Sequence, residues 1–292
     1  MTETITYQAN GMTFHALAWG PADGPLALCL HGFPDSAWTW RHLLPRLAAD
    51  GYHAVAPFLR GYSPTDVPDD GLYQPGAIAG DANALHAALG GHDDAVLIGH
   101  DWGALATYVA AAAAPERWRR VVAAAVPPQA AIAEAFFSYD QLQRSWYMFF
   151  FQSPLADMAV PVDDLAFIDR LWADWSPGYE ATEDLSHVKD CLRDPANLTA
   201  ALGYYRATIG SGARSPELDA LEAAAAAGPP PQPTLYLHGV DDGCMGIELA
   251  DRAASILSSN GSRMERVDGT GHFLHLEAPD RVNNLILDFL RT

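Results

Sequence analysis

Cysteine is scarce in this 292-residue chain: Cys29, Cys191 and Cys244 are the three present. They are widely spaced, odd in number and in no C-x-x-C pair, which argues against a disulfide framework or a zinc site and suits a reducing compartment. Long apolar runs are missing as well. No stretch of 18 apolar residues occurs, and the start MTETITYQANG has neither a basic beginning nor an apolar core, so no membrane span or secretion signal is read and a cytoplasmic protein is expected. Positive charge is also short, with 17 Lys and Arg against 36 Asp and Glu and a formal net charge of −19. Such a field repels nucleic acid and anionic lipid at long range and weakly disfavours a strongly anionic substrate. Its ordinary role is to keep an acidic surface solvated. A chain of this length buries roughly 75% of its unfolded surface, enough for one large domain or a core with an inserted piece.

What is present is an alternation. Short apolar or β-branched runs at 12–20, 26–32, 53–59, 95–100, 120–126, 233–239 and 262–269 end at or near Gly, Pro or a loop. Helical periodicity falls between them at about 40–49, 78–90, 103–114, 246–258 and 279–291. This pattern predicts an α/β fold with a mostly parallel sheet. From about Pro127 to Gly228 no buried strand is seen, and aromatic-rich amphipathic pieces such as AIAEAFFSYDQLQRSWYMFFFQ suggest several packed helices. An alanine helix then stops at Gly228, and a proline run that cannot continue it returns the chain to a strand. The expected organisation is therefore a core of 1–127 and 229–292 with a helical cap of 128–228.

The chemistry concentrates where strands end. In LIGHDWGAL, residues 97–105, a strand meets a helix through Gly-x-x-x-Gly, a sharp turn that exposes its middle residue, Asp101, at the helix N-terminus. Gly99 and Gly103 leave room for close approach of strand and helix. An aspartate between strand and helix is also an ordinary N-cap, so its companions decide. In LHGFPDSAWTW a strand breaks into His31, Gly32, Phe33 and Pro34, and the Phe33 and Trp102 backbone N–H groups together form an expected two-donor oxyanion hole. Asp241 and Asp242 follow the strand YLHG, and His272 follows the last one. Their order, nucleophile then acid then histidine, is that of a hydrolytic triad. Asp242 is preferred as the orienting acid, with Asp241 as the fallback. His275, three residues after His272, has no apparent third ligand, so no metal is expected.

With HGFPDSAWTWRH, GHDWGA, GTGHFLHLEAP and the helical insertion before the seventh strand, the chain resembles the epoxide hydrolase and dehalogenase branch of the α/β-hydrolase superfamily over essentially its whole length. The resemblance implies an eight-stranded, mostly parallel sheet flanked by helices. It also implies Asp101 as nucleophile, His272 as base, Asp242 as its acid, and Phe33 and Trp102 as oxyanion donors. One departure is APFLRGYSPT, where relatives commonly have Asp in place of Phe58, which puts that loop's substrate contacts in question.

Resemblance to epoxide hydrolases, whose cap supplies two tyrosine hydroxyls, points to Tyr147 and to Tyr205, which the Tyr-Arg step distinguishes from Tyr204. A phenol stays protonated at neutral pH and can donate to an epoxide oxygen. Haloalkane dehalogenases resemble HGNP, where this chain has Phe33. Fluoroacetate dehalogenases carry arginines after the nucleophile, which this chain lacks. The expected activity is thus opening of a small apolar epoxide to a vicinal diol with water and no cofactor. Dehalogenation is the alternative, and a non-catalytic ligand-binding protein on the same scaffold is the third reading. An apolar pocket lined by Pro34, Trp146, Phe150 and Phe151 is expected, with Phe149 and Trp172 nearby. A homodimer is left open.

Overall fold

The computed structural model describes residues 3–292, apart from the side chain of Glu134. Eight strands make one sheet: β1 (Glu3–Ala9), β2 (Met12–Trp19), β3 (Leu26–Leu30), β4 (His53–Pro57), β5 (Val96–His100), β6 (Arg120–Ala124), β7 (Thr234–Gly239) and β8 (Arg263–Val267). Their order is β1-β2-β4-β3-β5-β6-β7-β8. The β1–β2 and β2–β4 pairs are antiparallel and the remaining pairs parallel. Every residue of β3, β4, β5 and β7 is buried, because helices cover both faces of a parallel sheet and leave no solvent side. The eight-stranded, mostly parallel sheet is the one expected.

One strand escaped the sequence reading. β1 carries ETITYQA on the sheet edge with only its alternate side chains turned inward, so it lacks the apolar run that marks buried strands. Its local signal was the turn that follows: Asn10 (φ 48°) and Gly11 (φ 77°) are both left-handed, the geometry that an Asn-Gly hairpin supplies.

The helices around the sheet are α1 (Leu44–Ala49), α2 (Pro75–Ala88) and α3 (Trp102–Ala113) before β6, with α12 (Ile247–Ile256), α13 (Leu274–Glu277) and α14 (Pro279–Arg291) near the end. The helix expected at 40–49 is broken: a 3-10 turn occupies Ala37–Trp40, and α1 begins at Leu44 with a proline in its first turn. Between β6 and β7 run eight helices among the described residues: α4 (Gln129–Ala135), α5 (Tyr139–Arg144), α6 (Trp146–Phe150), α7 (Leu155–Ala159), α8 (Val162–Trp175), α9 (Thr182–Leu192), α10 (Pro195–Ile209) and α11 (Pro216–Ala226).

This helical segment is fastened to the loops at the carboxyl ends of the strands. The Trp172 indole N–H donates to the Pro34 carbonyl (2.7 Å) after β3. The Tyr204 hydroxyl donates to the Arg60 carbonyl (2.8 Å), and the Asn197 amide to the Gly61 carbonyl (2.8 Å), after β4. Gln141 donates to the Cys244 carbonyl (2.9 Å) and accepts from the Gly246 N–H (2.9 Å) after β7. The His272 N–H donates to the Trp175 carbonyl (3.0 Å) after β8. The chain leaves β3 for β4 on one side of the sheet and reaches β5 on the other. The crevice outside the carboxyl ends of β3 and β5 is therefore the topological switch point, where α/β sheets bind their ligands.

Candidate active site

Asp101 stands at that crevice in a strained backbone conformation, φ 53° and ψ −116°. A non-glycine residue is held there only when its surroundings over-determine it. Here the clamp is steric: a Cβ on Gly103 would meet the Leu30 carbonyl oxygen at 2.3 Å, so α3 lies directly against the end of β3. A Cβ on Gly32 would sit 2.3 Å from Asp101 Oδ1. The absence of side chains at both positions lets the Asp101 carboxylate lie along the backbone of the HGFP loop.

That contact is polar. The Phe33 N–H donates to Asp101 Oδ1 at 2.8 Å. Trp102 is the first residue of α3, so its N–H has no partner within the helix. His31 shapes the loop, a role the sequence reading did not give it. Its Nε2 accepts from the Leu59 N–H (3.0 Å), which leaves Nδ1–H to donate to the Gly32 carbonyl (2.9 Å). Burial lowers its pKa to about 4, so it is neutral at neutral pH.

His272 lies between two carboxylates. Its Nδ1 is 3.0 Å from Asp242 Oδ2 and its Nε2 is 3.6 Å from Asp101 Oδ2. Asp242 is buried and its Oδ1 accepts the Cys244 and Met245 N–H groups (2.7 and 2.8 Å), whereas Asp241 is exposed. The acid that faces the imidazole is thus Asp242. Burial opposes charge on His272, but Asp242 and Asp101 outweigh it and raise the pKa to about 10, so the ring carries a proton in the free site. Burial likewise opposes charge on Asp242, yet His272 and the amides hold its carboxyl below the usual range.

The helical segment brings Tyr147 (α6) and Tyr205 (α10) over this group. Both line the same cavity as Asp101 and Trp102, with their rings edge to face and 5.5 Å apart. Burial pushes both phenols well above their usual pKa, so each stays a donor. The Tyr147 hydroxyl is 3.3 Å from Cys244 Sγ, a contact the sequence did not suggest. The Tyr205 hydroxyl, the Trp102 indole nitrogen and His272 Nε2 are buried without a hydrogen-bond partner. Tyr204, the neighbour in question, instead turns away to the Arg60 carbonyl. The Arg60–Tyr204 link gives the divergent APFLRG loop a part in holding α10.

The expected pocket lining needs correction. Trp146 is 48% exposed and packs on Phe150 and Phe167 on the outer side of α6, because a one-turn helix that turns Tyr147 inward must turn Trp146 outward. Phe150 stacks on Phe167, and Phe151 is fully buried against Phe33 and Tyr205. Pro34 is covered by Trp172. The cavity wall is made instead by Leu105, Val109, Ile132, Phe136, Met148 and Ile209. His275 does not join His272. Its ring lies by His100 and Trp40, and its donor atom falls within 4.8 Å of those of Asp35 and His100, all three buried. His100 in turn donates through Nε2 to the His272 carbonyl (2.9 Å) and so steadies the backbone of that residue.

A family model described as alpha/beta hydrolase fold matches residues 25–279. The chain belongs to the α/β-hydrolase family. Within the family it lies in the epoxide hydrolase-like branch. It is 31% identical to Epoxide hydrolase A of Mycobacterium tuberculosis over 323 residues, covering 96% of this chain and 95% of that protein. It is also 30% identical to AB hydrolase superfamily protein YfhM of Bacillus subtilis over 287 residues, covering 97% and 96%. Among solved structures, Epoxide Hydrolase A from Mycobacterium thermoresistibile superposes with a TM-score of 0.81 at 26% identity, covering 100% of this chain and 98% of that one. An epoxide hydrolase from Bacillus megaterium, solved with an inhibitor, gives 0.81 at 25% identity, covering 99% and 100%. No helix among the described residues of this hydrolase is long and apolar enough to cross a membrane.

Proposed function

We propose that this α/β-hydrolase opens epoxides to vicinal diols through an ester on Asp101, with the helices between β6 and β7 acting as the cap. One observation carries the reading: an aspartate, not an alcohol, stands at the turn after β5, and two protonated phenols line the cavity above it. The names of the relatives agree with it.

The two carboxylate oxygens have different surroundings, and this assigns the steps. Oδ1 is engaged by the Phe33 N–H, so Oδ2 is the oxygen free to attack a ring carbon. As the C–O bond breaks, its electron pair moves to the ring oxygen, which takes a proton from the Tyr147 and Tyr205 pair. Alkylation removes the Asp101 charge, one of the two that hold the proton on His272. That proton is then released and makes good the one given by the phenol. Neutral His272, still oriented by Asp242, takes a proton from water as hydroxide adds to the ester carbon. The oxyanion forms on Oδ1, where the Phe33 and Trp102 amides meet it. Collapse expels the diol oxygen, which takes the proton from His272, and the carboxyl proton of Asp101 returns to His272. A serine here would form an ether that this water cannot cleave.

The test is a His272→Ala variant treated with an epoxide. Intact-protein mass spectrometry should show one substrate mass added covalently at Asp101, and full turnover without an adduct would overturn the mechanism. A second reading, dehalogenation, has one observation in its favour. The buried Trp102 indole N–H has no partner and offers a donor to a leaving halide. Halide release from haloalkanes faster than diol formation from any epoxide would select it.

A further inference from the structure

Among the described residues, the cavity at Asp101 is walled by α3, α4, α6, α10 and α11. It starts among Tyr147, Tyr205 and Cys244 and runs between α3 and α4 past Leu105, Val109 and Ile132. It ends near Thr208, Arg214 and Glu222 and has a volume of about 280 Å³. On the opposite side of the carboxylate the space is filled. Phe33, Phe151, Trp172 and Trp175 are each no more than 2% exposed, and none of them lines the cavity. Phe33 meets Phe151 and Tyr205 edge-on at 5.6 and 5.1 Å. Trp172 stacks on Phe273 at 3.5 Å and is pinned by its N–H to the Pro34 carbonyl. Trp175 packs on Tyr147 at 4.9 Å and on His272 at 5.1 Å. A second substituent has no room there without displacing close-packed rings, which is costly in an interior at crystal density.

An epoxide has two ring carbons, and both must lie beneath the tyrosines when Asp101 attacks. With one arm available, only one of them can carry a bulky group. The far end of the arm is polar but self-paired. Arg214 donates to Asp219, Glu222 and the Ala207 carbonyl, and Glu222 also accepts from the Gly76 N–H, so the one cation there is taken up by two carboxylates and the cluster offers nothing to an anionic tail. The wall between the two ends is apolar, made by Leu105, Val109, Ile132 and Ile209. Resting on the epoxide reading above, we infer that the substrate is a terminal epoxide: an unsubstituted CH2 on one ring carbon and a single apolar, non-anionic group on the other.

Binding and turnover test this separately. By calorimetry the protein should bind 1-phenyl-1,2-ethanediol and not hydrobenzoin, which carries a phenyl on each carbon. Its kcat/KM for styrene oxide should exceed that for trans-stilbene oxide by at least about 100-fold. Leu105→Trp, or Ile132→Trp should the first variant not fold, plugs the arm and should lower kcat/KM for styrene oxide about 10-fold more than for propylene oxide. Equal binding of the two diols, trans-stilbene oxide turned over within about 10-fold of styrene oxide, or equal loss on both substrates in the plugged variant would each overturn the one-armed assignment. Selective diol binding with no turnover of any epoxide would support the cavity assignment and sink the hydrolase reading instead.

Discussion

The two halves of the site differ in how completely their polar atoms are bonded. On the sheet side, Asp242 is held by an imidazole and two backbone amides, Asp101 by the Phe33 amide, and His272 by contacts to Asp242, the Trp175 carbonyl and His100. On the helical side, the Tyr147 hydroxyl is 3.3 Å from Cys244 Sγ, and the Tyr205 hydroxyl makes no hydrogen bond, with Tyr147 and the Trp102 indole as its polar neighbours. A buried hydroxyl left unpaired costs about 1–3 kcal/mol. On the sheet side the two carboxylates are thus fixed by amides and an imidazole, although His272 Nε2 and the Trp102 indole nitrogen stay unpaired there, as the Tyr205 hydroxyl does on the helical side. Sequence position explains the contrast. Strand ends supply backbone amides at fixed places, whereas the hydroxyls sit on helices that face a cavity.

The comparison breaks most visibly at the sheet side. Asp101→Ala removes the group proposed to form the ester and should lower kcat by about 10⁴-fold or more. A residual rate within about 100-fold of wild type, measured as diol formation, would show that the network is not the reacting half. A smaller effect is expected on the helical side. Phenylalanine at both Tyr147 and Tyr205 should cost about 10²- to 10⁴-fold in kcat, the range of general acid catalysis. Because Tyr205→Phe also deletes an unbonded buried hydroxyl, that single variant should melt no lower than wild type, gaining up to about 1 kcal/mol while losing activity. A clear loss of stability on thermal melting would mean the hydroxyl has a partner in the free protein.

The smallest effect separates the halves by pH. The pKa of His272 is raised from 6.5 to about 10 by its two carboxylates. Its proton therefore stabilises the folded state fully below about 6.5, and that contribution is lost as pH rises toward about 10. The difference in Tm between wild type and His272→Gln should shrink across this window and stay level below it. The Tyr205→Phe difference should not follow that curve, since its phenol is pushed up beyond the window by burial. A wild-type to His272→Gln difference that is independent of pH would show that His272 is not charged in the free site.

Much of this was legible in the chain because it is local. Gly-x-x-x-Gly around Asp101 encodes a tight turn within five residues, and HGFP and GVDD each end a strand whose apolar run is readable in itself. The edge strand β1 was missed because half of its side chains face water and its pattern is polar. Trp146, Phe150 and Phe151 were assigned to the cavity because composition reports that aromatics are near it. Which way each ring of a one-turn helix points depends on Phe167, Phe33 and Tyr205, partners distant in sequence.

The sequence by itself determined the order of strands and helices, the carboxylate at the turn after β5, and the set Asp101, Asp242 and His272 in chain order, since each follows from short-range backbone preferences and strand ends. Tertiary structure alone decided that Asp242 rather than Asp241 faces the imidazole and that His272 carries a proton between two carboxylates. It also decided which side chains wall the cavity at Asp101 and which pack away from it. These depend on distances between groups separated by 30 to 171 residues in the chain, and both electrostatic coupling and close packing are functions of distance in space rather than of position along the chain.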